Sequence, residues 1–328
     1  MIKNEFSDPE KIYELGDFTP FRAVKHPHNG YILCFGLDQE GKKRLNFVQY
    51  SDQKEVTELG KFETGEIKHE FSYTTFLNLK GWLMLLYAID GTIYKTSSHD
   101  YGKTWQRADR IYEGADGWIL FNRPLYVQSG RILVPAHNKR LGRCFVLVSD
   151  DGLNTIHPST FIELPEIPRD SLLTAEEDEF DDPFVYKTRY PILIHQSENI
   201  VMILMQTENL KHIYQADSPD LGETWTEAAA TSIFDGNDII DASRRFTTDG
   251  VYLPDIAVVY TGRFKDAYKL RIIASEDNGK TYSHSFDLDS KEQAEILCPR
   301  IVVDAAGKMD ILYYAEGSVF LIQEIDQA

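Results

Sequence analysis

Short apolar runs with the composition of β-strands recur along the chain, and each follows a turn residue. Runs such as Tyr31–Phe35 and Trp82–Leu86 are rich in the branched and aromatic side chains that suit strands. Each run comes directly after a glycine or an asparagine, which accept the positive φ of a tight hairpin turn. Helical spacing of apolar positions is almost absent. The six turn residues are Gly30, Gly81, Gly130, Asn199, Gly250 and Gly307.

The spacing of these turns predicts the architecture. The intervals between them are 51, 49, 69, 51 and 57 residues, and a period of roughly 40–50 residues is typical of a four-stranded propeller blade. Six units therefore predict an all-β fold, a six-bladed β-propeller that spans residues 1–328 as a single domain. We attribute the long third interval to an inserted loop over Glu163–Asp182, which contains prolines and an acidic run. A solvated loop is the first interpretation, and a lid that faces a substrate is the second.

The last blade lacks strands of its own. The C-terminal segments Met309–Ala315 and Val319–Ile325 supply too few strands for a complete sheet. We therefore predict that Lys11–Leu15, near the N-terminus, closes the last blade and removes a free sheet edge.

A second motif follows the same period. Residues 98–105, 218–225 and 275–282 match S-x-D-x-G-x-T-[WY], and residues 149–155 are a degenerate copy. The aspartate can accept hydrogen bonds from the backbone of its own turn, the glycine permits positive φ, and the aromatic ring can pack beneath the turn. We interpret these aspartates as turn-forming residues that lie away from any active site.

The composition of the chain limits the classes of partner that we expect. The chain has 34 Lys and Arg against 52 Asp and Glu, a formal charge of −18 and a pI near 4.9, so we expect no nucleic acid partner. Three widely spaced cysteines predict neither a disulfide framework nor a metal site, and no motif predicts a cofactor. The first nine residues lack a signal-peptide core, and no apolar run reaches the ~18 residues of a membrane span. We therefore expect a cytoplasmic chain without a membrane partner, secreted only if a leader has been removed; the oligomeric state stays open.

The innermost strand of each blade directs its leading end toward the axis, so the residues just before the apolar runs are candidates for a shared site. Several arginines among them predict recognition of a carboxylate or a sulfate, because guanidinium pairs with planar oxyanions through two hydrogen bonds. The alternative is that single arginines pair with nearby aspartates and join blades. The candidates are Arg22, Tyr73, Thr74, Asn122, Arg123, Asp181, Asp182, Asp241, Arg244, Arg245 and Arg300.

The repeated turn motif resembles the Asp box, or BNR repeat, of sialidases, and the likeness covers nearly the whole chain. It implies a sialidase-like glycoside hydrolase in which three arginines hold the carboxylate of an acidic sugar. Phe21-Arg22 resembles the strand of the first arginine, and Arg263 is similar to the third. At the place of the second arginine the chain has Gln206-Thr207.

The same resemblance implies catalytic roles. In sialidases a tyrosine is the nucleophile, because the anomeric carbon bears an anionic group that repels a carboxylate. Tyr313 is similar to that tyrosine, and Tyr314 is its rival. Asp182 matches the position of the activating carboxylate. Asp38 is the candidate acid/base, with Glu40 as the alternative.

Another segment is similar to a divergent branch that includes lyases of uronate polysaccharides. It comprises Asn122-Arg123-Pro124 and the run from Gly130 to His137, and Ile239–Ala242 also resembles that branch. A lyase needs a base, an acid and cations that stabilise an enolate, and His137, Tyr313 and arginines can supply them. The sequence thus leaves three functions open: an exo-acting hydrolase on an acidic sugar, a uronate lyase, and a propeller that only binds an acidic glycan. The predicted substrate-binding residues are Arg22, Arg123, Arg245, Arg263 and Arg300.

Overall fold

Six small β-sheets form a ring around a central axis, which confirms the predicted six-bladed propeller. The computed structural model describes residues 5–39, 42–127, 130–166, 187–197, 199–208, 210–235, 239–247, 249 and 251–325. The first two strands of the chain are β1 (Glu5–Phe6) and β2 (Glu10–Glu14). Blade 1 contains β3 (Phe21–Lys25), β4 (Tyr31–Gln39), β5 (Lys42–Tyr50) and β6 (Val56–Glu66). Blade 2 contains β7 (Phe71–Leu77), β8 (Leu83–Ile89), β9 (Thr92–Ser98) and β10 (Asp109–Glu113).

The remaining blades repeat this pattern. Blade 3 contains β11 (Trp118–Leu120), β12 (Leu125–Tyr126), β13 (Ile132–Asn138), β14 (Arg143–Ser149) and β15 (His157–Pro158). Blade 4 contains β16 (Thr188–Ser197), β17 (Ile200–Thr207), β18 (His212–Ser218) and β19 (Ala229–Phe234). Blade 5 contains β20 (Asp241–Phe246), β21 (Tyr252–Phe264), β22 (Ala267–Ser275) and β23 (Ser283–Lys291). Blade 6 contains β24 (Ile296–Val303), β25 (Met309–Ala315) and β26 (Ser318–Ile322), and β27 (Glu324–Ile325) follows it.

Each blade is an antiparallel meander whose first strand faces the axis. The first strands of neighbouring blades contact one another around the ring. We call the end of the axis where these inner strands begin the upper end, and the opposite one the lower end. Because the strands alternate in direction, the turn after each second strand also lies at the upper end, whereas the turns after the first and third strands lie at the lower end.

The hairpin turns between first and second strands lie where the sequence predicts them. Gly30, Gly81, Gly130 and Gly307 all have positive φ, between 73° and 81°. At Gly30 a Cβ atom would lie 1.8 Å from the carbonyl oxygen of Tyr50, so this turn accepts only glycine. Gly250 lies outside the described residues.

The N-terminal strand closes the ring, as predicted. Strand β2 pairs antiparallel with β26, with Glu10 opposite Leu321 and Glu14 opposite Ser318. Blade 6 is thereby a four-stranded sheet with the order β2-β26-β25-β24. The short strands β1 and β27 pair with each other beside it.

The Asp boxes form the turns between the third and fourth strands of blades 2 to 5. In the first box, the hydroxyl of Ser98 donates to Oδ1 of Asp100 at 2.7 Å, and the backbone N–H of Thr104 donates to the same oxygen at 2.8 Å. The hydroxyl of Thr104 donates to Oδ2 of Asp100 at 2.7 Å. The degenerate copy around Asp151 makes the same set of bonds. These aspartates therefore hold turns at the lower end.

The aromatic residue of an Asp box packs on the preceding blade. The ring of Trp105 lies 4.7 Å from that of Phe47 in blade 1. A Cβ atom on Gly102 would lie 3.0 Å from the side chain of Phe47, so the box glycine also permits this close approach. Much of the hydrophobic core lies between blades in this way, as in the cluster that joins Ile32 and Phe47 to Leu83 and Leu85.

Candidate functional site

Side chains and backbone groups of all six blades meet at the upper end of the axis, where the inner strands begin. The contributing residues are Arg22 of blade 1, Tyr73 and Thr74 of blade 2, Phe121, Asn122 and Arg123 of blade 3, Tyr190 of blade 4, Asp241 of blade 5 and Arg300 of blade 6. We call this group the axial cluster. It contains three of the five arginines that the sequence predicts to bind substrate.

Arg123 and Asp241 form the one ion pair of the axial cluster among the described residues. Nη1 of Arg123 lies 2.8 Å from Oδ2 and 3.1 Å from Oδ1 of Asp241. The carboxylate also accepts the backbone N–H groups of Ala242 at 2.8 Å and of Ile301 at 2.9 Å. Asp241 is 2% exposed, whereas the side chain of Arg123 is 37% exposed. The pair therefore joins blades 3, 5 and 6, and Arg123 lies at the mouth of the site.

Arg22 and Arg300 lie deeper and share the ring of Phe121. Their guanidinium carbons are 3.5 Å and 4.6 Å from its centroid, within the range of a cation–π contact. Nη2 of Arg22 donates to the carbonyl of Tyr73 at 2.9 Å, and Nη1 of Arg300 donates to Oδ1 of Asn122 at 2.9 Å. Neutral groups thus orient both cations without compensating their charge.

The axial cluster carries excess positive charge. Arg22 and Arg300 are each 5% exposed, and no carboxylate of the described chain pairs with either of them. Three guanidinium groups against the carboxylate of Asp241 give a formal charge of +2. Burial lowers the pKa of Arg22 to about 10, and the charge of Arg300 also lowers it. Arg22 nevertheless stays protonated at neutral pH.

A small cavity lies between these side chains. Its volume is about 20 Å³, which is room for about one water-sized species. Its lining includes Arg22, Thr75, Asn122, Asp241 and Arg300. A sugar ring is far larger, so a saccharide at this end of the axis must bind above the cavity.

A fourth arginine, Arg189, lies beside the axial cluster near the start of β16. The carbonyl of its neighbour Tyr190 accepts a hydrogen bond from Nδ2 of Asn122 at 3.1 Å, and the rings of Tyr190 and Phe121 are 5.0 Å apart. Nε of Arg189 is buried and has no hydrogen-bond partner among the described residues. The guanidinium contacts the ring of Tyr190, 5.7 Å from its centroid. Arg189 is therefore a cation whose charge no described carboxylate compensates.

His137 lies next to Arg189, near the upper end of β13. Its Nδ1 accepts the backbone N–H of Tyr190 at 3.4 Å, and the two rings meet edge to face at 5.2 Å. Burial, followed by the charges of Arg189 and Lys139, lowers the pKa of His137 to about 3. The imidazole is therefore neutral at physiological pH.

The other two predicted substrate arginines lie elsewhere. Arg245 forms an ion pair with Glu324; it is four residues beyond Asp241 along β20, about 13 Å toward the lower end. Arg263 is exposed near the end of β21, with its guanidinium 5.6 Å from the ring centroid of Tyr268. Neither lines the cavity of the axial cluster.

Tyr313, the predicted nucleophile, lies in the core between blades 5 and 6. It is 0% exposed, its hydroxyl donates to Asp289, and its ring stacks on Phe320 at 5.5 Å. Burial, followed by the hydrogen bond to Asp289, raises its pKa far above the usual range. Its rival Tyr314 donates to the carbonyl of Gly16 at 2.7 Å. Neither tyrosine lines the cavity of the axial cluster, and the role of Tyr313 as nucleophile stays a prediction.

Of the carboxylates predicted to take part in catalysis, the structure describes the backbone of one and not the other two. Asp38 lies near the end of β4, at the upper end of blade 1, where its backbone is opposite Lys43 of β5 in the sheet register. Its role as acid/base stays a prediction. Glu40 and Asp182 lie outside the described residues; the described part of the fourth inner strand begins at Thr188.

Arg189 and Phe121 are site residues that the sequence analysis missed. The resemblance places the second arginine where the chain has Gln206, and Arg189 lies directly opposite Gln206 on the neighbouring strand. A sequence signal exists, because Arg189-Tyr-Pro191 leads into an apolar run much as Arg123-Pro124 does. Phe121 has no comparable signal, since an apolar residue at the head of a strand is typical of any core.

Two features are absent from the part of the chain that the structure describes. No helix there is long and apolar enough to cross a bilayer. Within the same residues, no group of three or more His, Cys, Asp or Glu side chains is placed to hold a metal ion. Cys34, Cys144 and Cys298 are buried, and the described residues form no disulfide bond.

The fold and the axial cluster define a six-bladed β-propeller with an arginine-rich site at one end of its axis. The family described as BNR repeat-like domain matches residues 72–311. The chain therefore belongs to this family, and its fold is sialidase-like. No curated protein matches the sequence.

Solved structures extend the likeness at the level of the fold. A protein of unknown function from Dyadobacter fermentans is similar over 99% of this chain and 100% of its own, with a TM-score of 0.73 and 14% identity. The leech intramolecular trans-sialidase, solved with 2,7-anhydro-Neu5Ac, gives a TM-score of 0.65 at 13% identity over 97% of this chain and 70% of its own. The α-L-arabinanase of Penicillium chrysogenum, solved with arabinobiose, gives a TM-score of 0.63 at 9% identity over 97% of this chain and 98% of its own.

Proposed function

We propose that this chain is a glycoside hydrolase of the propeller type that binds the carboxylate of an acidic sugar at the upper end of its axis. The observation that carries the proposal is the excess of guanidinium there: Arg22, Arg123, Arg189 and Arg300 against the single described carboxylate of Asp241. Guanidinium recognises carboxylates through paired hydrogen bonds. Because the whole protein carries a formal charge of −18, an anionic substrate needs such a local positive site. The sialidase and arabinanase neighbours support a sugar as the substrate class.

Arg123 and Arg189 are the arginines that we assign to the sugar carboxylate. Arg123 is the exposed member of the axial cluster, at its mouth. The hydrogen bond from Asn122 to the carbonyl of Tyr190 joins the residues next to these two arginines, which therefore lie on neighbouring parts of blades 3 and 4. The cavity beneath them is too small for a sugar ring.

Asp38 is the candidate general acid of the hydrolysis. It lies at the upper end of β4, and β4 pairs with the strand that carries Arg22. A carboxyl group there can give a proton to the leaving oxygen of a sugar whose carboxylate is held near the axis.

A binding protein without catalysis is the second candidate. Asp241 is the carboxylate of the axial cluster, and its oxygens already accept hydrogen bonds from Arg123 and from two backbone N–H groups. It is therefore unsuited to transfer protons. The lyase alternative is weaker, because a pKa of about 3 makes His137 a poor base at neutral pH.

Replacement of Arg189 tests the recognition directly. We expect calorimetry to detect binding of sialyllactose or of glucuronate and galacturonate oligosaccharides, and no binding of lactose. Arg189→Gln should weaken the binding of the acidic ligand about tenfold or more, since it removes a charge-assisted hydrogen bond. The substitution leaves no described carboxylate unpaired, so we expect the fold to be retained.

Arg110→Gln is the matched control, because Arg110 is exposed on the outer strand of blade 2, where it pairs with Glu113. Equal affinity for acidic and neutral sugars, or an Arg189→Gln variant that binds as the wild type does, would refute the proposal.

The reaction products distinguish the three candidate functions. A free reducing sugar indicates hydrolysis, an unsaturated product that absorbs in the ultraviolet indicates a lyase, and an intact ligand indicates binding alone. Asp38→Asn should abolish hydrolysis while binding persists.

A further inference from the structure

The buried half of the axial cluster has more hydrogen-bond donors than described acceptors. A guanidinium group offers five N–H donors, so Arg22 and Arg300 together offer ten. Arg22 donates to the carbonyls of Phe21 and Tyr73. Arg300 donates to the carbonyl of Phe21, to Asn122 and, more weakly, to the sulfur of Cys298. Five N–H groups are left without an acceptor in the described chain, and one of them, Nε–H of Arg22, is fully buried.

The two cations are also close to each other. Their distances to the centroid of Phe121, 3.5 Å and 4.6 Å, set 8.1 Å as the largest possible separation of the two guanidinium carbons. Like charges at this distance in a buried site repel strongly, because little water screens them. The carboxylate of Asp241 contacts Arg123 and neither of these two arginines.

The cavity between these groups selects its ligand by size and charge. Its volume of about 20 Å³ admits about one water-sized species. A neutral water can accept hydrogen bonds but leaves the excess charge uncompensated. A carboxylate or a phosphate brings further heavy atoms that the cavity does not hold. A monatomic anion meets both requirements.

We propose that this cavity binds a chloride ion between Arg22 and Arg300. The ion accepts N–H groups from arginines of blades 1 and 6, above the ring of Phe121 from blade 3, and so links three blades at the axis. It lowers the formal charge of the axial cluster from +2 to +1, which leaves the mouth positive for an anionic ligand. This inference goes beyond the proposed function and holds whether or not the protein acts on a sugar.

The test is thermal unfolding of the sugar-free protein at constant ionic strength, with chloride replaced stepwise by methanesulfonate, which is too large for the cavity. We expect the Tm to rise with chloride by about 2 °C per tenfold increase above the dissociation constant. Bromide should act as chloride does. Anomalous diffraction from bromide-soaked crystals should place the ion within about 3.5 Å of guanidinium nitrogens of Arg22 and Arg300.

Ala23→Val is the informative variant, because Ala23 lines the cavity on β3 and valine suits a strand. The added methyl groups should fill the cavity and abolish the chloride response while the arginines stay in place. Ala267→Val, also a strand alanine but distant from the axis, should keep the response. Equal Tm values in chloride and methanesulfonate, an unchanged response in Ala23→Val, or bromide found only outside the cavity would overturn the proposal.

Discussion

At the residue scale, the partners and the exposure of each arginine decide whether it is structural or available to a ligand. Arg245 forms an ion pair with Glu324, which compensates its charge. Arg244 donates to the carbonyl of His195 at 2.8 Å and also to Asn278, so it joins blades 4 and 5. Arg189 has no described partner for its charge. The same residue type at the head or middle of an inner strand therefore serves opposite purposes.

These partners follow from the fold and not from the local sequence. Arg123 and Asp241 are 118 residues apart along the chain, and only the ring of blades brings them together. Their positions before apolar runs predicted that they face the axis. The sequence leaves open whether such an arginine binds a ligand or pairs with an aspartate and joins blades, and it does not indicate which aspartate pairs with Arg123. Tyr313 likewise has a partner that the local sequence does not indicate, because Asp289 belongs to another blade, and its side chain lies in the core.

The Asp-box carboxylates give a prediction for pH dependence. Hydrogen bonds from Thr281, opposed by burial, hold the pKa of Asp277 at about 2, below the ordinary value of about 3.9. A lowered pKa means that Asp277 stabilises the folded state above pH ~4 and loses this effect as the pH falls toward 2. We expect Asp277→Ala to lower the Tm at pH 7 by about 1–3 °C. Calorimetry should show the difference from wild type shrinking below pH ~4.

Lys280→Ala is the control for this prediction, because Lys280 belongs to the same turn and its side chain makes no hydrogen bond with the described residues. It should leave the Tm nearly unchanged. A difference between Asp277→Ala and wild type that stays constant from pH 7 to pH 2 would show that the ionised carboxylate is not what stabilises the turn.

At the scale of the elements, the hairpin period predicts the blades and their turns, and the shortage of C-terminal strands predicts the closure. Turn glycines and apolar runs are local signals, since each reflects backbone conformation or burial within one hairpin. The predicted head of the fourth inner strand, Asp181-Asp182, was chosen because it precedes an apolar stretch. The described strand begins at Thr188, with Arg189 next. Insertions break the period, and the arginine at the head of this strand was missed for that reason.

The closing strand gives a prediction at this scale. Ile12 is 4% exposed and packs in a core cluster with Val319 and Leu321 of β26. Because β2 completes blade 6, Ile12→Ala should destabilise the whole protein by about 2–5 kcal/mol, as a buried truncation does. Urea denaturation measures this value. Lys11→Ala, on the exposed side of the same strand, should change the free energy of unfolding only slightly. Equal stability of the two variants would contradict a structural role for this strand.

At the scale of the whole molecule, an acidic protein concentrates cations at one end of its axis. The formal charge of −18 belongs to the chain as a whole, and the axial cluster reverses that sign locally because each inner strand contributes one part of it. The Asp boxes lie at the opposite end, where they hold turns. This division explains why the repeat motif identifies the fold, while the function depends on residues outside the motif.

The most direct test of this account is a crystal structure with the acidic oligosaccharide that binds best in calorimetry. We predict that the carboxylate of the sugar lies at the upper end of the axis, with an oxygen about 2.7–3.2 Å from a guanidinium nitrogen of Arg123 or Arg189. A sugar bound elsewhere on the molecule, with both of these arginines free of it, would contradict the account.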